Sequence, residues 1–345
     1  MIYTELTKLA MSIAEKAHRG QIDKGGYPYI HHPLHVAESM LDQYSCAAAL
    51  LHDVVEDTPI GFDNLLEWGI PETVIEALRL LTHDDDTPYM DYVKGIGNNI
   101  IARNVKLSDL DHNLDSTRLP KGSSPRKKAI YLEAKDYLLS LKTPFEEIVL
   151  ATSNKGKQKE YEDLLAPLKC RILLPEDLGL DIDVEENGST YRENAIIKAN
   201  YLSEKTSLPV IADDSGIEVF AMGNRPGLHT ARYAKENGGF PDVWYKVIEE
   251  IEGKDRGARF VCNIALKEKE NEAKVFEGIC PGRILEKPLG HNGFGYDPIF
   301  HSDEGDIDFG TAKEEEKAKY SHRGKASQKL IEYILNERKN RAKPQ

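Results

Sequence analysis

Asp213 and Asp214 stand side by side after the apolar run Pro209-Val210-Ile211-Ala212, with Ser215-Gly216 immediately behind them. Two adjacent carboxylates at the end of a buried strand repel each other, and a divalent cation is the economical way to compensate them. Such a cation would bridge triphosphate oxygens while one carboxylate orients or deprotonates an attacking water. Upstream, Ile148-Val149-Leu150-Ala151 leads into Thr152-Ser153-Asn154-Lys155-Gly156-Lys157. A strand running through such a loop into a helix offers free backbone N–H groups and a lysine, which suits a polyphosphate. It is not the Walker pattern, and taken alone it is equally well a simple turn. Glu185-Glu186-Asn187-Gly188, then Glu193, Asn194 and Lys198 at helical spacing, add polar groups that a solvated face would also carry. Gly293-Phe294-Gly295-Tyr296-Asp297-Pro298 can lay Phe294 against a purine with Asp297 as an acceptor. Lys317 and Ser321-His322-Arg323-Gly324 supply donors for purine carbonyls or phosphate. In this order, the pieces describe a metal-dependent nucleoside triphosphate hydrolase.

A second constellation lies in the first third. In Leu50-Leu51-His52-Asp53-Val54-Val55-Glu56-Asp57, a continuous helix would place His52 with Glu56 and Asp53 with Asp57 on one side. His52 and Asp53 can chelate one metal if His32, in Tyr29-Ile30-His31-His32-Pro33, and Asp109, in Lys106-Leu107-Ser108-Asp109, complete the set. An isolated His-Asp pair is commonplace; the upstream His-Pro and the downstream Asp on an apolar helix are what make it a site.

The elements that must hold these residues change character along the chain. Residues 1–142 carry apolar positions at three- and four-residue spacing, with Ala129–Leu141 closing the half as a helix before Thr143-Pro144. From Ile148, short apolar runs (148–151, 171–174, 209–212, 259–266, 273–280) alternate with helical ones such as 190–205, predicting a mixed α/β domain. The boundaries are placed at 1–143 and 146–338, with 339–345 as a frayed basic tail. At 345 residues, 40% hydrophobic and 30% charged, the composition is that of a two-domain soluble protein. A net charge of −13 argues against a nucleic-acid or membrane-surface partner and leaves small phosphorylated molecules. Four scattered cysteines without a CxxC pair, and no signal-peptide or membrane-length run, predict a cytoplasmic protein with reduced thiols.

The C-terminal motifs resemble the inosine triphosphate pyrophosphatase (Ham1-like) family over about 146–335. The resemblance implies a two-lobed α/β fold, usually dimeric, that cleaves ITP, dITP and XTP to the monophosphate and pyrophosphate with Mg2+. It implies that Thr152, Asn154, Lys157 and Lys198 hold phosphates, and that Glu186 and Asp214 bind Mg2+. Asp214 would also activate water; Phe294, Asp297, Lys317, His322 and Arg323 would line the base pocket, with Ser215 at its edge. Thr311-Ala312-Lys313-Glu314 departs from the expected small-acidic-leucine run. The N-terminal motifs resemble the all-α HD-domain phosphohydrolases, most closely the alarmone (ppGpp) hydrolase branch, over roughly 1–140. That resemblance implies Mn2+ or a related transition metal on His32, His52, Asp53 and Asp109. Glu56 and Asp57 would work on water, and Lys24, Asn113 and Ser116 would reach the substrate. Asp23-Lys24 and Leu110-Asp111 replace the branch's Arg-Lys and Arg-Leu, which bears on the substrate rather than the metal. The expectation is a bifunctional purine-nucleotide hydrolase, a homodimer through its second half. The alternatives give the HD half a nucleotide-sensing role or a phosphatase action on the monophosphate product.

Overall fold

The computed structural model describes residues 1–84, 86–115, 124–182 and 184–341. They form two compact units: Met1–Thr143 with Glu176–Asp181, and Pro144–Pro175 with the chain from Ile182 onward. Glu176–Asp181, which the sequence reading keeps in the second domain, thus group with the first. No helix among the described residues is long and apolar enough to cross a membrane.

The first unit is helical: α1 (Glu5–Ala17), α2 (His31–Glu38), α3 (Gln43–Leu51), α4 (Val54–Asp57), α5 (Phe62–Glu67), α6 (Glu72–Leu81), α7 (Tyr89–Ile96), α8 (Ile100–Leu114) and α9 (Pro125–Ser140). Cys46 to Leu51 are apolar on every side of α3, so α3 is the central helix, with α1, α2, α6 and α8 packed around it. Asp42 caps it by accepting from the Tyr44 and Ser45 amides. The helix expected from Ala129 begins earlier, because Ser124 caps it and Pro125 occupies its first turn.

The helix expected to run through Leu50–Asp57 is broken. α3 stops at Leu51, His52 and Asp53 form a turn, and α4 starts at Val54. The His52 Nδ1–H donates to the Ala49 carbonyl at 2.7 Å, a side-chain bond that competes with continuation of the helix.

The second unit is built on a mixed sheet of order β2-β1-β3-β5-β6-β7-β8, with β4 on β3. Its strands are β1 (Glu147–Leu150), β2 (Arg171–Leu173), β3 (Val210–Val219), β4 (Arg225–Pro226), β5 (Gly257–Lys267), β6 (Lys274–Ile284), β7 (Phe300–Ser302) and β8 (Ile307–Asp308). Its helices are α10 (Lys155–Leu165), α11 (Tyr191–Ser203), α12 (Thr230–Glu236), α13 (Asp242–Glu250), α14 (Glu314–Tyr320) and α15 (His322–Arg341). β1 pairs with β2 and β3 in parallel; the remaining pairs are antiparallel. Two apolar cores lie along this sheet. One gathers Ile211, Cys262 and Leu330; the other gathers Ile217, Phe260 and Phe300. β3 and β5 run through both cores, and the Asp213–Ser215 stretch falls between them. Gly278 on β6 lets the first turn of α15 lie directly on the sheet.

At the C-terminus, α15 continues to Arg341, so residues 339–341 are helical rather than frayed. Arg341 is held there by both carboxylate oxygens of Glu268, each at 2.8 Å.

Candidate active sites

β3 overturns one expectation directly: Asp213 and Asp214 lie inside the strand, not at its end. Strand residues alternate between faces, so the two carboxylates point to opposite sides of the sheet. Asp213 pairs with Lys157, whose Nζ is 2.9 and 3.0 Å from its two oxygens, and with Arg323 at 3.5 Å. On the other face, Asp214 accepts from the Asn194 amide at 3.1 Å and lies 3.6 Å from Lys198 Nζ. Their mutual repulsion is relieved by separation, and each meets its own cations. For Asp213, burial alone would raise the pKa, but Lys157, Arg323 and Lys198 outweigh it and hold the carboxyl well below its usual range. For Asp214, burial outweighs Lys198 and Asn194, and the pKa is raised. One carboxyl is held below its usual range and its neighbour above it.

The loop after β1 is shaped by the two polar residues expected at the phosphates. Asn154 Oδ1 caps α10, accepting from the Gly156 and Lys157 amides at 2.9 and 3.2 Å. Thr152 Oγ1 accepts from the Asn154 amide at 3.2 Å. Opposite, Lys198 Nζ bridges Glu186 at 3.0 Å and Asp214, so the two proposed Mg2+ ligands meet at one ammonium. Hard carboxylate oxygens with excess negative character fit a small oxygen-seeking cation. Asn194 was readable from the sequence only as a polar neighbour of Lys198 on α11. Here it joins the glycine loop to the site, accepting from Gly188 N–H at 2.8 Å.

The expected base-pocket residues converge. Asp297 Oδ2 accepts from the Phe294 amide at 2.8 Å and from Lys317 at 3.0 Å. Lys317 and Arg323 stand 5.6 and 5.3 Å from the Phe294 ring centre, which gives that ring a cationic margin. Ser215 accepts from Arg323 at 3.0 Å. Sequence reading missed Glu160, one helical turn after Lys157. It accepts from Arg323 at 2.5 Å and sits 3.9 Å from Lys317. Glu160, Asp213 and Asp297 therefore balance Lys157, Lys317 and Arg323. His322 stacks on Phe260, centroids 4.6 Å apart with planes 9° from parallel. Burial, with Arg323 and Lys317 nearby, keeps it neutral, and its buried Nδ1 makes no hydrogen bond among the described residues.

In the first unit, His32, His52 and Asp109 are buried with ligand atoms within 4.8 Å of one another. His32 Nε2 is 3.2 Å from Asp109 Oδ1 and 3.6 Å from Asp53 Oδ2, and His52 Nε2 is 3.2 Å from the same Asp53 oxygen. Separations near 3 Å are the edges of a coordination shell with bonds of roughly 2.1 Å. His52 Nε2 is buried and makes no hydrogen bond among the described residues, and it is the atom a metal would take. The donor set of two imidazoles and two carboxylates fits a transition metal.

Tyr29 and Lys106 were named in the sequence only as parts of motifs. Tyr29 donates to Asp53 Oδ2 at 2.6 Å, and burial together with Asp53 keeps its hydroxyl protonated. Lys106 holds Asp109 Oδ2 at 2.9 Å beneath the Tyr89 and Tyr92 rings. Burial opposes the Asp109 charge, but Lys106 and the histidines keep that carboxyl well below its usual range. Glu56 accepts from the His83 amide at 3.2 Å. Asn113, expected at the substrate, donates to Asp109 Oδ1 at 2.5 Å. Lys24 is exposed in the turn closed by the Ile22–Pro28 bridge. Ser116 lies outside the described residues.

Residues 148–333 match the Ham1 family, a stretch that takes in most of the second unit and every residue expected at the base pocket. The chain belongs to the Ham1 family. This Ham1 protein also carries an HD domain, matched over residues 10–79. Among its relatives is a dITP/XTP pyrophosphatase of Thermus thermophilus, 43% identical over 188 residues, covering 54% of this chain and 90% of that protein. Another dITP/XTP pyrophosphatase, from Halalkalibacterium halodurans, is 42% identical over 192 residues, covering 55% of this chain and 99% of that protein. The Staphylococcus aureus Ham1 protein superposes with a TM-score of 0.50 at 38% identity, over 55% of this chain and 99% of that one. This Ham1 chain is thus a full family member with a helical HD unit ahead of it.

Proposed function

We propose that the second unit hydrolyses non-canonical purine nucleoside triphosphates, dITP, ITP and XTP, to the monophosphate and pyrophosphate. The observation that carries this reading is the division of labour on β3. Asp213 anchors Lys157 and Arg323, while Asp214, on the opposite face of the strand, turns to Lys198 and Glu186 and serves as the proton acceptor for water. Glu186 and Asp214 would hold Mg2+, which when bound neutralises phosphate charge. Lys157 and Lys198 flank the triphosphate, Phe294 covers the base, and Lys317 and Arg323 donate to its carbonyls. A pocket of donors leaves a 6-amino group without a partner, which rejects adenine.

The first unit acts, in this proposal, as a metal-dependent phosphohydrolase on a nucleotide phosphate or 3′-pyrophosphate, with ppGpp the first substrate to test. His32, His52, Asp53 and Asp109 would hold Mn2+, which when bound makes water nucleophilic near neutral pH. Glu56 and Asp57 orient that water, and Tyr29 steadies Asp53. Product analysis tests both halves. Wild type should release pyrophosphate from dITP with Mg2+, and from ppGpp with Mn2+. Asp214→Ala should abolish only the first reaction, and Asp53→Ala only the second. ppGpp left intact by protein that cleaves dITP would remove that substrate from the proposal.

A further inference from the structure

His112, one turn beyond Asp109 on α8, played no part in the sequence reading. Its Nδ1 lies 2.6 Å from Nδ1 of His32, with ring centroids 4.9 Å apart and planes within 9°. An imidazole nitrogen stands a little over 1 Å from its ring centre, so these distances place the two rings edge to edge in nearly one plane. The contact is an in-plane N–H···N hydrogen bond, not a stack. His35 does stack on His112, centroids 4.1 Å apart at 26°, and fixes its plane from the side.

The other edge of His32 faces the carboxylate cluster, with Nε2 3.2 Å from Asp109 Oδ1. A neutral histidine that ligates through Nε2 carries its proton on Nδ1. That proton can only go to a neighbour that accepts, so His112 Nδ1 must present a lone pair and His112 must carry its own proton on Nε2. Metal-bound histidines ordinarily give this proton to a carboxylate, a backbone carbonyl or water. His52 follows that pattern through the Ala49 carbonyl, while His32 does not.

We propose that His112 is a positioning residue of the HD metal centre. It accepts from His32 Nδ1–H, fixes the Nε2-ligating tautomer of His32, and aims that nitrogen at the metal. The inference rests on the metal reading of the first unit given above.

The test is Mn2+ affinity of the full chain, measured by calorimetric titration for wild type and three variants. His112→Asn keeps an acceptor oxygen close to the position of Nδ1. His112→Phe keeps a ring for His35 to stack on but offers no acceptor, and His112→Ala removes both. Affinity should fall roughly 10- to 100-fold in the Phe and Ala variants and recover most of the way in Asn. Nitrogen-15 NMR of the wild type loaded with diamagnetic Zn2+ in place of paramagnetic Mn2+ should show the Nδ1–H form for His32, and hydrolysis of dITP by the second unit should be unchanged throughout. Equal affinities for the Asn and Phe variants, or a His32 protonated on Nε2 in the loaded protein, would overturn the inference while leaving the metal site standing. A wild type that binds no Mn2+ would overturn both.

Discussion

Gly278→Ala probes the base pocket without touching it. A Cβ at this point of β6 would stand 2.0 Å from the His322 carbonyl oxygen and 2.7 Å from the Ala326 nitrogen. Both are backbone atoms at the start of α15, so no side chain can swing aside. A carbon–oxygen contact relaxes at about 3.3 Å, which requires the helix start to lift by roughly 1 Å. His322 and Arg323 ride on that turn, and Arg323 ties Asp213, Ser215 and Glu160 together. A misplacement of that size costs on the order of 100-fold in rate, or about 2.7 kcal/mol of barrier. The overpacking itself costs about 1–3 kcal/mol of stability. The assay is kcat/KM for dITP with Mg2+, followed by pyrophosphate release, beside a thermal melt and the Mn2+ content of the HD unit. Gly95→Ala is the control: its Cβ would meet nothing within 4 Å, and the helix should gain stability at unchanged activity. A folded Gly278→Ala protein with wild-type kcat/KM would refute the claim that α15's seat on β6 sets the pocket.

Asp214→Asn should lower dITP turnover by roughly 10²–10⁴-fold, the usual contribution of a proton acceptor, with HD metal content untouched; a loss under tenfold would give the role to another group. The same change should raise Tm at pH 7. A carboxyl whose folded pKa is raised contributes stability below its unfolded pKa and loses it as pH rises through the folded value. Asp213 behaves in the opposite sense. Its folded pKa is depressed, so its stabilisation is complete above the unfolded value of about 3.9 and is lost as pH falls through the folded value. Asp213→Asn, which strands Lys157, should cost about 3–5 kcal/mol at neutral pH and flatten the acid limb of a melt-versus-pH curve; an unchanged acid limb would show that other carboxylates set it. Arg338 donates to the carbonyls of Pro144, Phe145 and Leu168 at 2.9, 2.9 and 2.6 Å. Arg338→Ala should therefore cost about 3 kcal/mol at roughly 1 kcal/mol per bond. Arg338→Lys should recover no more than a third of that loss in a denaturant titration.

What the sequence made legible was chemistry tied to periodicity. The central helix that leads into His52 and the places of β1, β3 and β5 along the chain follow from apolar spacing, which burial enforces. The helix break at His52 did not, because it depends on one side-chain bond to Ala49 that no spacing reveals. Glu160 was invisible for a similar reason. On a solvated helix an acid after a lysine is unremarkable, and only the packing of α10 beside α15 brings it to Lys317 and Arg323. The strand position of Asp213 and Asp214 was misjudged because charged residues read as a strand terminus. Their partners come from α10, α11 and α15, far off in sequence, and these let the strand continue.

The placement of two identical residues on opposite faces of β3 makes strand register itself a determinant of function. If β3 slid by one residue against β5, an aspartate would still occupy one of the two positions, so the carboxylates alone cannot fix the alignment. The flanks do so. Gly216 lies where a Cβ would come within 2.4 Å of the Gly227 carbonyl and 2.6 Å of Thr230 Oγ1, so neither Ser215 nor Ile217 can take its place. With Gly216 held in place, a one-residue insertion between Asp214 and Gly216 moves Asp214 into the position that faces Lys157 and leaves the position facing Lys198 to Ser215 or the inserted residue. Single-residue length changes in this strand should therefore be more damaging than most substitutions in it, and Gly216 is the point at which the chain counts its own residues.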